Sequence, residues 1–130
     1  MKYKILIVED DKFLRDMMVK KFIKSGFDNV ESLSGGAGVI KKVREYKPDM
    51  LLLDVNIPDI SGFEILKLMR EDEEIKDTNV MMLSNLSKQS DIDKSVEFGC
   101  VDYMIKAITS PQEIVDKVYA FLESNQANSK

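Results

Sequence analysis

The stretch Met50-Leu51-Leu52-Leu53-Asp54-Val55-Asn56-Ile57-Pro58 decides how the rest of this 130-residue chain is read. The apolar run from Met50 to Leu53 has the length and character of a strand buried on both faces of a parallel sheet. It delivers a carboxylate, Asp54, at its C-terminal end, and Pro58 then blocks further pairing because it lacks a backbone N–H. Ligands of open α/β sheets sit outside the carboxyl ends of the strands, which singles Asp54 out. A lone aspartate there also serves as a helix cap or loop residue. The two readings separate on whether other strands end in groups that could meet it.

Before that strand, Tyr3 to Val8 predicts a first strand running into Glu9, Asp10 and Asp11. From Lys12 to Ser25, Leu14, Met17, Met18 and Phe22 recur at helical spacing, and Gly26 supplies the C-cap. Asn29 to Leu33 is a short, partly polar strand that suits a sheet edge. A helix from Gly36 to Tyr46 places Ile40, Val43 and Tyr46 on one side, and Lys47-Pro48-Asp49 breaks it. The preceding Gly35-Gly36-Ala37-Gly38 lets that helix start close to the sheet.

After the central strand, Ser61 caps a helix to Glu71 that is buried through Phe63, Leu66 and Met69. The acidic run Glu71-Asp72-Glu73-Glu74 reads as a solvated loop. Val80 to Leu83 forms a fourth strand ending at Ser84. Ser87 to Phe98 is a weakly amphipathic helix with Ile92 and Val96 placed inward, closed by Gly99. Val101 to Ile105 forms a fifth strand ending at Lys106. Ser110-Pro111-Gln112-Glu113 carries a serine N-cap, a proline at the first helical position and a glutamate completing a capping box. The stripe Ile114, Val115, Val118, Phe121 and Leu122 follows. Five strands alternating with five helices predict an α/β fold, a doubly wound, flavodoxin-like parallel sheet. The expected strand order is 2-1-3-4-5. Residues 1–123 are read as one domain, and Ser124 to Lys130 as a polar, frayed tail.

Composition narrows the function. Hydrophobic residues make up 44% and charged residues 32% of the chain, ordinary values for a soluble domain. A net charge of −4 and a pI near 4.9, with no basic stripe, argue against nucleic-acid binding through this domain. The one cysteine, Cys100, excludes a disulfide framework and reads as a small core residue. The absence of histidine removes Cys/His zinc sites and the commonest general base, and the chain cannot carry a phosphohistidine. With no signal peptide and no apolar run of membrane length, a cytoplasmic location is expected.

The strand ends gather Glu9, Asp10 and Asp11 after the first, Asp54 after the third, Ser84 after the fourth and Lys106 after the fifth. In the order 2-1-3-4-5, the first and third strands are neighbours at the switch point, so their acids converge. Packed like charges repel unless a cation neutralises them. An oxygen-liganded Mg²⁺ fits, because it needs few protein carboxylates and keeps several waters. Lys106 adds a fixed positive charge, and Ser84 a hydroxyl that can donate to an oxyanion. Singly, each has a plain explanation: caps for Asp10 or Ser84, a surface charge for Lys106. Jointly they describe a phosphoryl site with an aspartate nucleophile.

The residues Ile5-Leu6-Ile7-Val8-Glu9-Asp10-Asp11, Leu52-Leu53-Asp54-Val55-Asn56-Ile57-Pro58-Asp59-Ile60-Ser61-Gly62-Phe63, Met82-Leu83-Ser84 and Asp102-Tyr103-Met104-Ile105-Lys106 resemble the receiver domain of two-component response regulators. The resemblance spans about Lys4 to Leu122. It implies that Asp54 is the phosphoacceptor. It also implies that Glu9 and Asp10 bind Mg²⁺ with Asp54, Asp10 directly and Glu9 through water, and that the backbone carbonyl of Asn56 completes the protein ligands. Ser84 and Lys106 match the hydroxyl and ammonium that hold the phosphoryl group. Tyr103 matches the aromatic switch residue, although a half-buried strand aromatic needs no such role.

The function implied is a phosphorylation-dependent signalling switch. A sensor histidine kinase or histidine phosphotransfer protein would pass phosphoryl to Asp54. The face formed by the fourth helix, fifth strand and fifth helix would then change its binding to a downstream protein target or to a second copy in an activation homodimer. The domain would catalyse only its own phosphorylation and dephosphorylation, and would not be an enzyme acting on other substrates. No membrane contact is expected.

Three departures from the family pattern stand out. Ala107 follows Lys106 where receivers usually carry proline, which predicts a trans bond and an altered loop. Asn85 stands where a small residue is usual, and could crowd the phosphoryl pocket or add a hydrogen bond. The chain stops after the last helix, as a stand-alone receiver or a piece of a longer regulator. Rival readings are an aspartyl-phosphate hydrolase, which Asn56 disfavours, a flavodoxin-type cofactor module, which three acids after the first strand disfavour, and a receiver that has become a constitutive docking domain.

Overall fold

The periodicities resolve into five strands and five helices. They are β1 (Lys4–Val8), α1 (Lys12–Lys24), β2 (Asn29–Leu33), α2 (Val39–Tyr46), β3 (Met50–Asp54), α3 (Gly62–Arg70), β4 (Val80–Ser84), α4 (Gln89–Glu97), β5 (Asp102–Ile105) and α5 (Pro111–Asn128). This computed structural model describes residues 1–85 and 88–128. The helix start expected at Ser87 lies outside the described residues, as do Ser129 and Lys130. All strand pairs are parallel and the order is β2-β1-β3-β4-β5, as predicted.

Strand alternation divides the interior into two layers. Leu6, Val8, Leu51, Leu53, Val80 and Met82 pack against α2 and α3 through Val43, Leu66 and Met69. Ile5, Ile7, Met50, Leu52, Met81 and Leu83 face α1 and α5 through Met18, Phe22, Val115 and Val118. Burying each large aliphatic or aromatic side chain contributes about 1.5–3 kcal/mol before entropy is counted. The edge strand β2 exposes Asn29, Glu31 and Ser32, as its polar composition requires.

Local signals behave as their chemistry dictates. Gly26 takes φ +100° after α1, a conformation that L side chains resist. At the start of α5, Glu113 N–H donates to Ser110 Oγ at 3.1 Å, and Ser110 N–H donates to Glu113 Oε1 at 3.2 Å, both arms of the capping box.

Four readings need correction. The second helix begins at Val39, because Gly38 adopts φ +85° ahead of it. Met17 is 39% exposed, and α1 is buried chiefly through Met18 and Phe22. Val96 is 71% exposed; α4 turns Ser95 inward instead, and Ser95 Oγ satisfies itself on Ile92 O at 2.6 Å. The stretch expected to fray continues as helix through Asn128, since no glycine or proline interrupts it. Lys106–Ala107 is trans, as expected, and a short 3-10 turn, Lys106–Ile108, follows β5. Cys100 packs half-buried against the α2–α3 layer, and burial pushes its thiol up to about 12. No described helix is long and apolar enough to cross a membrane.

Candidate functional site

Parallel register aligns the carboxyl ends of the strands: Val8 pairs with Leu53, Asp54 with Leu83, and Ser84 with Ile105. The residues that follow therefore meet at one rim. They line an open cavity of about 380 Å³ bordered by Glu9, Asp10, Asp54, Asn56, Asn85 and Lys106. A groove of about 450 Å³ around Arg70, Asp77 and Phe98 gathers no comparable constellation.

Asp54 is 1% exposed, and its two oxygens are held differently. Oδ1 accepts the Asn56 N–H at 2.9 Å, while Oδ2 accepts Lys106 Nζ at 2.8 Å. The same ammonium lies 2.6 Å from Glu9 Oε1 and is itself mostly shielded. Burial works against the Lys106 charge, but its hydrogen bond to Asp54 and its close pairing with the Glu9 carboxylate outweigh that, and its pKa is raised. Glu9 is fully buried, and desolvation drives its pKa up to about 7 against the pull of Lys106 and of the Asp11 N–H.

The donor set fits a hard divalent cation. Glu9, Asp10 and Asp54 each offer an oxygen, all within 4.8 Å of one another. Among the described residues, Glu9 Oε1 is buried without an aligned hydrogen-bond donor despite the nearby ammonium. Asp10 is exposed at the mouth, so one ammonium faces three carboxylates. That surplus of negative charge is what a bound cation would neutralise.

Ser84 is buried at the end of β4, and Tyr103 lies partly buried on β5 beside it. Burial raises the Tyr103 pKa, and a side-chain hydrogen bond with Ser84 opposes the rise. The residues read as hydroxyl donor and switch are thus in contact with each other.

A model of the response regulator receiver domain matches residues 5–119. The chain belongs to this family. The receiver is 29% identical over 106 residues to the chemotaxis protein CheY of Bacillus subtilis, covering 82% of this chain and 87% of that protein. It is 31% identical over 126 residues to the DNA-binding response regulator MtrA of Mycolicibacterium smegmatis. That match covers 97% of this chain but 53% of MtrA, so the receiver spans about half the length of that relative. A CheY-like response regulator receiver domain protein from Methanospirillum hungatei superimposes with a TM-score of 0.86 at 21% identity, covering 97% of this chain and 98% of that one. At that identity the likeness concerns the fold. Receiver domains interact with histidine kinases and downstream effectors, and a phosphorylation switch is general to the family.

Three residues around the receiver site escaped the sequence reading. Asp11, grouped there with the acids, is the N-cap of α1 and accepts the Leu14 N–H at 3.1 Å. Its spacing to the first helical residues was the available signal. Arg15 Nη1 donates to the carbonyls of Glu9 at 2.8 Å and Asp10 at 3.3 Å, fixing the backbone between the acids. Asp59 reaches across to the β2–α2 loop. Neither of the last two has a spacing signature. Asn85 is exposed and lines the same cavity as Asp54.

Proposed function

We propose that this receiver is a phospho-accepting switch in which Asp54 takes a phosphoryl group from the phosphohistidine of a sensor kinase or phosphotransfer protein. The observation that carries the proposal is Asp54 itself: a buried carboxylate at a strand end, paired to Lys106 at 2.8 Å and within reach of Glu9 and Asp10. Glu9, Asp10, Asp54 and the Asn56 carbonyl would hold Mg²⁺. Bound there, it would screen the approach of an anionic phosphoryl group to an anionic carboxylate.

A carboxylate oxygen of Asp54 attacks phosphorus, and the P–N bond to the donor imidazole breaks. The leaving electron pair stays on the imidazole, which takes up a proton from solvent or retains the one it carries. The Asn56 N–H and Lys106 Nζ orient the attacking carboxylate. Lys106 and the Ser84 hydroxyl then bind the transferred oxygens. Drawing Ser84 toward phosphate perturbs its hydrogen bond with Tyr103. The change reaches the face formed by Lys88, Ile92, Val96, Tyr103 and the start of α5, where a target protein or a second copy would bind. Attack of water on the acyl phosphate regenerates Asp54, so the domain catalyses only its own turnover. A cytoplasmic setting and no nucleic-acid contact through this domain accord with the composition.

Intact-mass spectrometry after incubation with Mg²⁺ and acetyl phosphate tests this. One added phosphoryl group is expected on the wild type and none on Asp54→Asn or with a chelator present. If no adduct forms and beryllofluoride leaves the Tyr103 and α5 resonances unmoved, the proposal fails and a constitutive docking domain remains.

A further inference from the structure

The glycine-rich loop Gly35-Gly36-Ala37-Gly38 lies away from the switch point, yet the structure shows it bound to an anion supplied by the chain itself. Asp59 Oδ1 accepts the Gly36 N–H at 2.9 Å, and Oδ2 accepts the Ala37 N–H at 2.9 Å. The fit is close. A Cβ on Gly36 would stand 2.0 Å from Ile60 Cγ2 and 3.1 Å from Ile65 Cδ1, so only glycine lets Asp59-Ile60 settle there. A Cβ on Gly35 would rest 3.4 Å from both Asp59 oxygens, ordinary contact. The two N–H donors hold the Asp59 carboxyl below the usual range.

Asp59 is three residues beyond Asn56 in the loop that leaves the phosphoacceptor strand. That loop is fixed at its base by Val55 N–H to Leu83 O at 2.9 Å and by Gly62 N–H to Val55 O at 3.0 Å. Asn56 is exposed, and its N–H is tied to Asp54 Oδ1 at 2.9 Å. Between those base anchors, Ile57 is buried in the α2–α3 layer and the Asp59 carboxylate ties the loop to the β2–α2 loop, so the clamp and the core together limit how far the tip can swing.

We infer that Asp59 is a positioning residue: clamped by the Gly36 and Ala37 amides, it fixes the β3–α3 loop so that Asn56 presents its N–H to Asp54 and its carbonyl to the cation. The inference rests on the proposed function for the meaning of the site, but not for its test. Losing an outer support of a metal ligand weakens metal affinity even where the ligands remain.

The test compares wild type, Asp59→Ala and Asp59→Asn in the full chain, without phosphate donor first. Titration with Mg²⁺, followed by the amide resonances, is expected to show a Kd raised roughly tenfold in Asp59→Ala. Asp59→Asn, which keeps one acceptor oxygen, should recover part of it. In the metal-free protein, hydrogen exchange at the Asn56 amide should quicken in the same order while the central β3 amides stay protected. Phosphorylation by acetyl phosphate should slow in parallel. An unchanged Mg²⁺ affinity and unchanged Asn56 exchange in Asp59→Ala, with only the melting temperature lowered, would overturn the inference and leave a plain loop cap. A wild type that binds Mg²⁺ but neither takes a phosphoryl group nor responds to beryllofluoride defeats the proposed function alone. The affinity and exchange comparison still decides the role of Asp59.

Discussion

Replacing Arg70 with methionine should destabilise the domain without touching its carboxylate cluster. Arg70 ends α3, and its guanidinium donates to four carbonyls on two loops: Lys76 at 2.9 Å, Thr78 at 2.8 Å, Phe98 at 2.7 Å and Gly99 at 3.3 Å. All four acceptors are carbonyls and burial lowers its pKa, yet arginine stays charged at any working pH. A hydrogen bond to a charged group is worth about 1.5–3 kcal/mol net. Water reaches the outer two carbonyls once the side chain is gone, and methionine keeps the packing of the stem. The loss therefore corresponds to the better-buried pair less the desolvation of the charge, about 3 kcal/mol. For a chain of this length that lowers the melting temperature by roughly 10 °C. Urea unfolding followed by circular dichroism measures it, and Arg70→Lys should retain only part of the stability, because a compact ammonium cannot span both loops. A loss below about 1 kcal/mol for Arg70→Met, or full retention in Arg70→Lys, would refute the claim that a planar donor fork joins the α3–β4 and α4–β5 segments.

Cys100 should resist alkylation in the native protein: with its thiol near 12 and not 9, thiolate is about a thousandfold scarcer than at an ordinary cysteine. Iodoacetamide labelling at pH 8 that proceeds as fast as in urea would count against this. Ser110→Ala removes the hydroxyl acceptor of the α5 capping box, leaving the backbone N–H arm to Glu113, and should cost about 1 kcal/mol in urea unfolding, with no change in Mg²⁺ affinity. The Asp72 carboxyl, bonded chiefly to Arg44 and also to the Glu74 N–H, should titrate below 3.8. Because its folded pKa is depressed, its contribution is present above the unfolded value and disappears as pH falls through the folded one. Arg44→Gln should move the midpoint back up in an NMR titration, and an unmoved midpoint would show that the ion pair is not the cause.

The fold was legible because its signals are local and repeated. The run Met50–Leu53 admits no amphipathic reading, and a sheet covered on both sides is the arrangement that buries it. Ser110 to Glu113 spells its cap within four residues, and both bonds form. The α4 segment was harder. Ile92 and Val96 share a face by spacing, but Ser95 is what turns inward, since a stripe of two residues leaves the helix free to rotate about its axis.

The site divides along the same line. From sequence alone come the parallel α/β order, the carboxylates Glu9, Asp10 and Asp54, and the hydroxyl and ammonium of Ser84 and Lys106 at strand ends, because parallel strands put every C-terminus on one rim. Only the tertiary structure decided that Lys106 bridges Glu9 and Asp54, that Arg15 pins the backbone between the acids, and that Asp59 is clamped by the Gly36 and Ala37 amides. Those contacts join residues 22 or more positions apart or turn on where a long side chain reaches. Pattern along the chain fixes which way a side chain leaves its strand or helix; which partner it finds across a loop depends on distances that exist only once the layers have packed.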